Sequence, residues 1–169
     1  MLTIRSETNS DHVAIHEVHC MAFPTDAEAR LVERLRKKGC AVISYVAELD
    51  GEVIGHILYS PVSVDVSPRE VRGLGLAPLS VLPSRQKSGV GSALIRESLK
   101  ECKRLGYDFV VVLGEVDYYP KFGFCKASEH GLGNEYGADE AFMVLELTSD
   151  SLAKMGGTVR FDNEFAEWS

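Results

Sequence analysis

The stretch from Leu79 to Ser92 reads Leu-Ser-Val-Leu-Pro-Ser-Arg-Gln-Lys-Ser-Gly-Val-Gly-Ser, a strand-like run that breaks into a glycine turn and opens an amphipathic helix. The first N–H groups of a helix have no partners within it, and Gly89 and Gly91 carry no Cβ to keep a phosphate away from them. This layout is an anion site in which a pyrophosphate can sit. The helix is the clearest in the chain: Val90, Leu94, Ile95, Leu99, Cys102 and Leu105 share one face, and Arg96, Glu97, Lys100 and Arg104 lie opposite. A basic last turn and Gly106 end it. Phe109 to Gly114 is then a continuous apolar run, expected as a strand buried on both faces and parallel to its predecessor across the helical crossover.

The remaining elements follow from periodicity and turn chemistry. Leu2 to Glu7 alternates weakly as a first strand, and Asn9 or Ser10 caps a helix with Ile15, Val18 and Ala22 at helical spacing, ended by Phe23-Pro24. Thr25 and Glu28 have capping-box spacing before a second helix through Leu31, Val32 and Leu35 to Gly39. Ala41 to Glu48 and Glu52 to Val64 read as strands joined by an Asp50-Gly51 hairpin turn, with a further turn at Pro68-Arg69. Arg72 to Val81 is the next strand, and Pro78 within it predicts a bulge there. Tyr118 to Phe122 is a short helix, Ala141 to Leu147 a strand, and Ser149 to Ser169 a tail with a strand at Thr158 to Phe161.

A chain of 169 residues with 45% hydrophobic content is long enough for one sizeable core, so residues 1–169 are expected to form one domain, with 149–169 as its extension. No long apolar run or signal-like amino terminus is present, which predicts a soluble, cytoplasmic protein. The net charge of −7 arises wholly after Gly114, where 11 acidic residues face 4 basic ones. A nucleic-acid partner is not expected, because the short Arg34, Arg36, Lys37, Lys38 group on a helix end complements a helix dipole better than a phosphate backbone. Cys20, Cys40, Cys102 and Cys125 lack zinc-type or redox-type spacing and are expected as buried thiols.

Competing phosphate motifs fit worse. The chain contains no Gly-Lys pair, so a P-loop is excluded, and Leu94 stands where a Rossmann fingerprint starting at Gly89 needs glycine. The pattern Gln86-x-x-Gly89-x-Gly91, set between a bulged strand and a long helix and followed by a buried strand and Tyr119-Pro-Lys-Phe-Gly123-Phe124, resembles the GNAT family of Gcn5-related N-acetyltransferases. The likeness extends over almost the whole chain, toward a bacterial subgroup. It implies a mixed α/β (α+β) fold: a central, mostly antiparallel sheet splayed between two parallel strands, with helices on both faces.

The resemblance also implies acetyl-CoA as cofactor, gripped by the backbones of Leu79, Ser80 and Val81 and by the turn of Gln86, Lys87, Ser88, Gly89, Val90, Gly91 and Ser92. Tyr119 takes the place of the general acid that protonates the departing thiolate, and adjacent Tyr118 is read as a packing residue. The expected partner is a small-molecule or peptide amine, with no membrane, no nucleic acid and no metal. An asparagine common after the buried strand is replaced by Gly114-Glu115-Val116-Asp117, and no carboxylate stands on the bulged strand. Glu115, Asp117, Glu48 and His56 are therefore alternative bases, beside direct attack by a neutral amine with water relaying its proton. A non-catalytic acyl-CoA sensor or structural domain with the same cleft is the rival reading.

His12, His16 and His19 fall on one helix face. They are read as rings bordering the apolar stripe with their nitrogens in water, rather than as metal ligands. Phe161, Phe165 and Trp168 are expected either to cap the sheet or to join a homodimer.

Overall fold

The structure is a computed structural model that describes residues 1–65 and 70–167. The turn expected at Pro68-Arg69 and the ring of Trp168 lie outside the described residues. The chain begins with β1 (Leu2–Ser6), a 3-10 turn (Asn9–Asp11), α1 (His12–Ala22) and α2 (Ala27–Lys37). Next come β2 (Ile43–Leu49), β3 (Glu52–Val64), β4 (Gly73–Val81), α3 (Val90–Arg104) and β5 (Phe109–Leu113). After a 3-10 turn at Tyr119–Phe122 come β6 (Cys125–Lys126), β7 (Leu132–Asn134), β8 (Phe142–Glu146) and β9 (Gly157–Arg160). The strand order is β1-β2-β3-β4-β5-β8-β6, with β9 pairing β3 and β7 away from that path.

The sheet is mixed and mostly antiparallel, as the sequence predicts. The β4–β5 pair is parallel, and its register covers only Gly73↔Phe109, Leu74↔Val110 and Gly75↔Val111. Close packing fixes the start of this pair: a Cβ on Gly73 would come within 2.2 Å of the Phe109 ring. Beyond Gly75 the two strands part. The β3–β4 register slips between Ile57↔Leu79 and Tyr59↔Leu76, so Ala77 and Pro78 together oppose Leu58. This is the bulge that Pro78 signalled, and it turns the end of β4 away from β5.

Alternation along the strands sorts the core onto two faces. Ile57, Tyr59, Leu74 and Leu76 pack with Leu94 and Ile95 of α3, while Val46 and Leu58 pack with Ile15, Leu31, Val32 and Leu35 of α1 and α2. Each fully buried side chain of this kind contributes about 1.5–3 kcal/mol. The α3 face differs from its expected pattern at two positions. Leu105 is 38% exposed, and Ser98 is buried, with its hydroxyl donating 2.6 Å to the Leu94 carbonyl and 2.8 Å from the Tyr59 hydroxyl.

The α1 entry is fixed by Thr8 rather than by Asn9 or Ser10, since the Thr8 N–H donates to Asp11 Oδ2 at 2.7 Å. At α2 the Thr25 hydroxyl accepts the Ala27 N–H at 3.3 Å, one position from the expected box geometry. Phe161 and Phe165 are buried, pack on each other and on Phe142, and Phe161 lies 2.7 Å from where a Gly75 Cβ would be. These rings of the tail therefore cap this chain's own sheet. Of the four thiols only Cys102 is buried; Cys20 is exposed, and Cys40 and Cys125 are partly exposed. Their positions beside turns and element ends explain the difference. Among the described residues no helix is long and apolar enough to cross a membrane.

Candidate active site

The splay between β4 and β5 opens a cleft of about 660 Å³ that includes Leu79, Ser80, Val81, Gln86, Lys87, Gly89, Gly91, Ser92, Tyr118 and Tyr119 in its walls. Its depth follows from backbone direction. The Leu82 N–H donates 2.8 Å to the Ile54 carbonyl on β3, so by alternation the N–H groups of Leu79 and Val81 turn toward the open side. A linear, amide-rich chain can pair with such an edge as an added strand. The Val81 carbonyl is already engaged, accepting 3.1 Å from Gln86 Nε2. Gln86 thus closes the turn onto the strand in this structure.

At the outer end the turn is wound for main-chain donation. Gly89 caps α3 with φ +87°, a left-handed conformation in which a Cβ is strained, and Lys87 also has φ 63°. Nothing lies within 4 Å of a Cβ position at Gly89, so backbone conformation and not space demands glycine there. Ser88 and Val90 contribute differently from their neighbours. The Ser88 hydroxyl donates to the Arg85 carbonyl and braces the turn, and the Val90 side chain packs in the core beneath Gly55. With Arg85, Lys87 and Lys121 at its rim and free α3 amides at its base, this end of the cleft suits an anion.

Tyr119 stands deeper. It is 8% exposed, with its ring edge-on to Tyr118 and Phe124. A Cβ on Gly114 would lie 2.3 Å from that ring, which explains why no larger residue follows β5. Burial, with lesser contributions from Tyr118 and Glu115, raises the Tyr119 phenol well above its usual pKa, so it keeps its proton at neutral pH. Tyr118 is more than a packing residue: its hydroxyl lies 3.2 Å from Ser92 Oγ and 3.2 Å from a Gly91 Cβ position, over the first turn of α3. The near-coincidence of two tyrosines at one cleft is visible in sequence, but which faces the helix is decided by the 3-10 turn.

The expected bases separate in space. Glu115 is in the cleft wall, whereas Asp117 is exposed outside it. Glu48 pairs with Arg5 at 3.3 Å at another depression of the surface. His56 is fully buried, and it connects to the cleft through His19 and Ser80. The three α1 histidines also diverge: His12 bonds Glu7 at 2.9 Å, His16 bonds Glu33 at 2.7 Å, and His19 bonds His56 at 2.8 Å. His19 does not border solvent as expected; it is fully buried, and burial pushes its pKa down to about 3. Sequence reasoning missed Ser80 as the partner of His19 and Ser44 as that of His56, although both serines stand where alternation calls for buried side chains. Ala22 and Phe23, at the end of α1, form part of the cleft wall.

A sheet opened at a bulge, with a helix N-terminus at its mouth and a phenol inside, gives a cleft that suits a linear acyl donor ending in a phosphate, and the comparisons place the chain among the acyltransferases. The comparisons with known proteins give the family: residues 3–127 match the family model described as an acetyltransferase (GNAT) domain, and the chain belongs to the GNAT acetyltransferases. It is 36% identical to the N-acetyltransferase YhbS of Escherichia coli (strain K12) over 97% of this chain and 98% of that protein. YjhQ of the same organism is 33% identical over 91% of this chain and 89% of its own length. The crystal structure of E. coli YhbS in complex with CoA superposes with TM-score 0.93 at 34% identity, covering 99% of this chain and 93% of that one. A GNAT acetyltransferase from Brucella melitensis in complex with acetyl-CoA gives 0.81 at 34% identity, covering 98% of each chain.

Proposed function

We propose that this chain is an acetyl-CoA-dependent N-acetyltransferase, one domain throughout, that moves the acetyl group by direct attack onto a primary amine of a small molecule or peptide. The observation that carries the reading is the cleft itself. It joins the main-chain donors of Leu79 and Val81 to the glycine turn and helix N-terminus in one continuous groove, a fit for a thioester arm at one end and its diphosphate at the other.

Acetyl-CoA, the donor substrate, supplies an acetyl group already activated on sulfur. Leu79 and Val81 bind the arm along β4, and a main-chain N–H there, aimed at the thioester oxygen, offsets the charge that develops on it. A preorganised donor of that kind is worth roughly 3 kcal/mol. The amides from Lys87 to Ser92, with Arg85 and the Tyr118 hydroxyl beside them, hold the diphosphate end. Tyr119 donates the proton that the departing sulfur needs. The phenol and the thiolate it protonates are both anions when deprotonated in the same buried space, so burial raises both pKa values and leaves the transfer between them close to balanced. Glu115 in the wall favours a cationic acceptor, and a cytoplasmic setting supplies the cosubstrate.

Two measurements test the reading. Calorimetry with coenzyme A is expected to show saturable binding, and an amine panel monitored for thiol release is expected to show turnover. Tyr119→Phe is expected to reduce kcat about a hundredfold while leaving coenzyme A affinity unchanged. Full turnover by that variant removes Tyr119 from the acid role, and cofactor binding with no turnover across the panel leaves the sensor reading instead.

A further inference from the structure

Behind the cleft runs a chain of polar side chains from five separate segments. Ser80 Oγ lies 2.8 Å from His19 Nδ1, His19 Nε2 lies 2.8 Å from His56 Nδ1, and His56 Nε2 lies 2.7 Å from Ser44 Oγ. The Ser44 hydroxyl then bonds Glu7 Oε1. Glu7 is clamped by Arg36, whose Nε and Nη2 each donate at 3.1 Å, and by His12 Nε2 at 2.9 Å. Ser80, His19, His56 and Ser44 are buried, and only Ser80 reaches the cleft wall.

The carboxylate end sets the direction of every bond. Partial burial raises the Glu7 pKa, but the His56 ring close by and the hydrogen bonds from Arg36 and Ser44 outweigh it and hold the carboxyl well below the usual range, so Glu7 only accepts. Ser44 therefore gives its one hydroxyl proton to Glu7 and must accept from His56 Nε2–H. Burial pushes the His56 pKa down, so the neutral ring has a bare Nδ1 that accepts from His19 Nε2–H. His19, also neutral, has a bare Nδ1 that accepts the Ser80 hydroxyl proton. Ser80 Oγ is left with lone pairs turned to the cleft. One added proton reverses the polarity as far as Ser80 and comes to rest on His56, where Glu7 stands 3.7 Å away.

We infer that Ser80 is the group that takes the proton from the acceptor amine, with His19 and His56 as positioning residues that carry charge away from it toward Glu7. This rests on the acetyltransferase reading above. As the amine nitrogen bonds to the acetyl carbon, its proton passes to Ser80 Oγ. The Ser80 proton passes to His19 Nδ1, and the His19 Nε2 proton passes to His56 Nδ1. The C–S bond breaks with its electron pair on sulfur, which takes the Tyr119 proton. The products are the amide and the thiol, and the His56 imidazolium and Tyr119 phenolate return to neutral by exchange with water. The titratable and charged neighbours are Glu7, Arg36 and Asp11 around His56, and His56, His16 and Arg36 around His19. The two carboxylates favour the transient imidazolium at His56, while burial above all, with Arg36 in the same direction, keeps both rings neutral at rest.

The probe acceptor is hydroxylamine, unprotonated at neutral pH but still required to lose a proton on acylation. Ser80→Ala is expected to lower kcat about a hundredfold with unchanged KM for acetyl-CoA and unchanged coenzyme A binding by calorimetry. Nitrogen-15 NMR of labelled histidines is expected to show His19 and His56 both as neutral Nε2–H tautomers at pH 7, a signature that a merely structural hydroxyl at position 80 would not require. A Ser80→Ala kcat within about twofold of the parent, an Nδ1–H tautomer on either ring, or a parent protein that binds coenzyme A and does not acetylate hydroxylamine overturns the relay. A parent protein that does not bind coenzyme A overturns the acetyltransferase reading instead.

Discussion

The glycine turn at the end of β4 and the histidine network on its α1 side meet the same cleft, one through the main chain of Leu79 to Ser92 and the other through the Ser80 side chain, behind which lie His19, His56, Ser44, Glu7 and Arg36. The turn takes its ligand-binding groups from consecutive residues, so backbone conformation alone arranges them, and water satisfies them when nothing is bound. The network assembles groups from β1's exit, two helices and three strands, and four of its six residues are sealed from water while Glu7 and Arg36 are half-buried. A lost partner in the network strands a buried donor, acceptor or charge, whereas a changed side chain in the turn disturbs only local conformation.

That contrast breaks most sharply at Glu7. Glu7→Ala leaves Arg36, Ser44 and His12 without their shared acceptor and is expected to cost about 3–5 kcal/mol of stability, read from the urea midpoint. The same network sets the pH response of the parent protein. His19 is held near pKa 3 against its ordinary 6.5, so the unfolded chain binds more protons between those values. Stability is therefore complete above about pH 6.5 and is expected to fall as pH drops toward 3. Glu7, with its pKa lowered in the fold, adds a further loss once pH passes below the carboxylate range. A flat stability profile between pH 7 and 4 would remove the neutral histidine pair from the comparison.

Next in size is Gly114→Ala, where the new methyl meets the Tyr119 ring at 2.3 Å. Overpacking of this kind is expected to cost about 1–3 kcal/mol in thermal unfolding, and to lower kcat more than coenzyme A affinity because the phenol moves. On the turn side, Gly89→Ala forces a Cβ into φ +87° and is expected to lose about 1–2 kcal/mol, shared between stability and coenzyme A affinity by calorimetry. Tyr118→Phe is expected to show the smallest effect: it removes one half-buried hydroxyl contact to Ser92, worth about 0.5–1 kcal/mol, in coenzyme A binding alone. If Tyr118→Phe proved costlier than Glu7→Ala in stability, the two regions would not differ in the way their construction implies.

The same contrast explains what could be read from residues in order. The capacity of Gly89 and Gly91 to open α3, the bulge at Pro78 and the buried β5 are local or periodic properties, and each appears where expected. The α1 histidines were misplaced because helical periodicity says which face a ring shares and not what waits opposite it. His56 and Ser80 sit opposite each other on β3 and β4, in phase with buried neighbours, and that phase is the trace a sequence carries of a buried polar network.

The amino-acid order by itself determined the strand–turn–helix unit, the mixed sheet with its parallel β4–β5 pair, and the presence of a tyrosine near the cleft mouth. These depend on main-chain preferences and repeats of two or 3.6 residues, which act over short distances. Tertiary structure alone decided that Tyr118 meets Ser92 while Tyr119 lies over Gly114, that the tail rings cover this chain's own sheet, and that Glu7 reaches Ser80 through two imidazoles. The polar contacts among them join residues as far as 61 positions apart, and the partner of a buried polar group is chosen by whichever element the packing of the core brings against it.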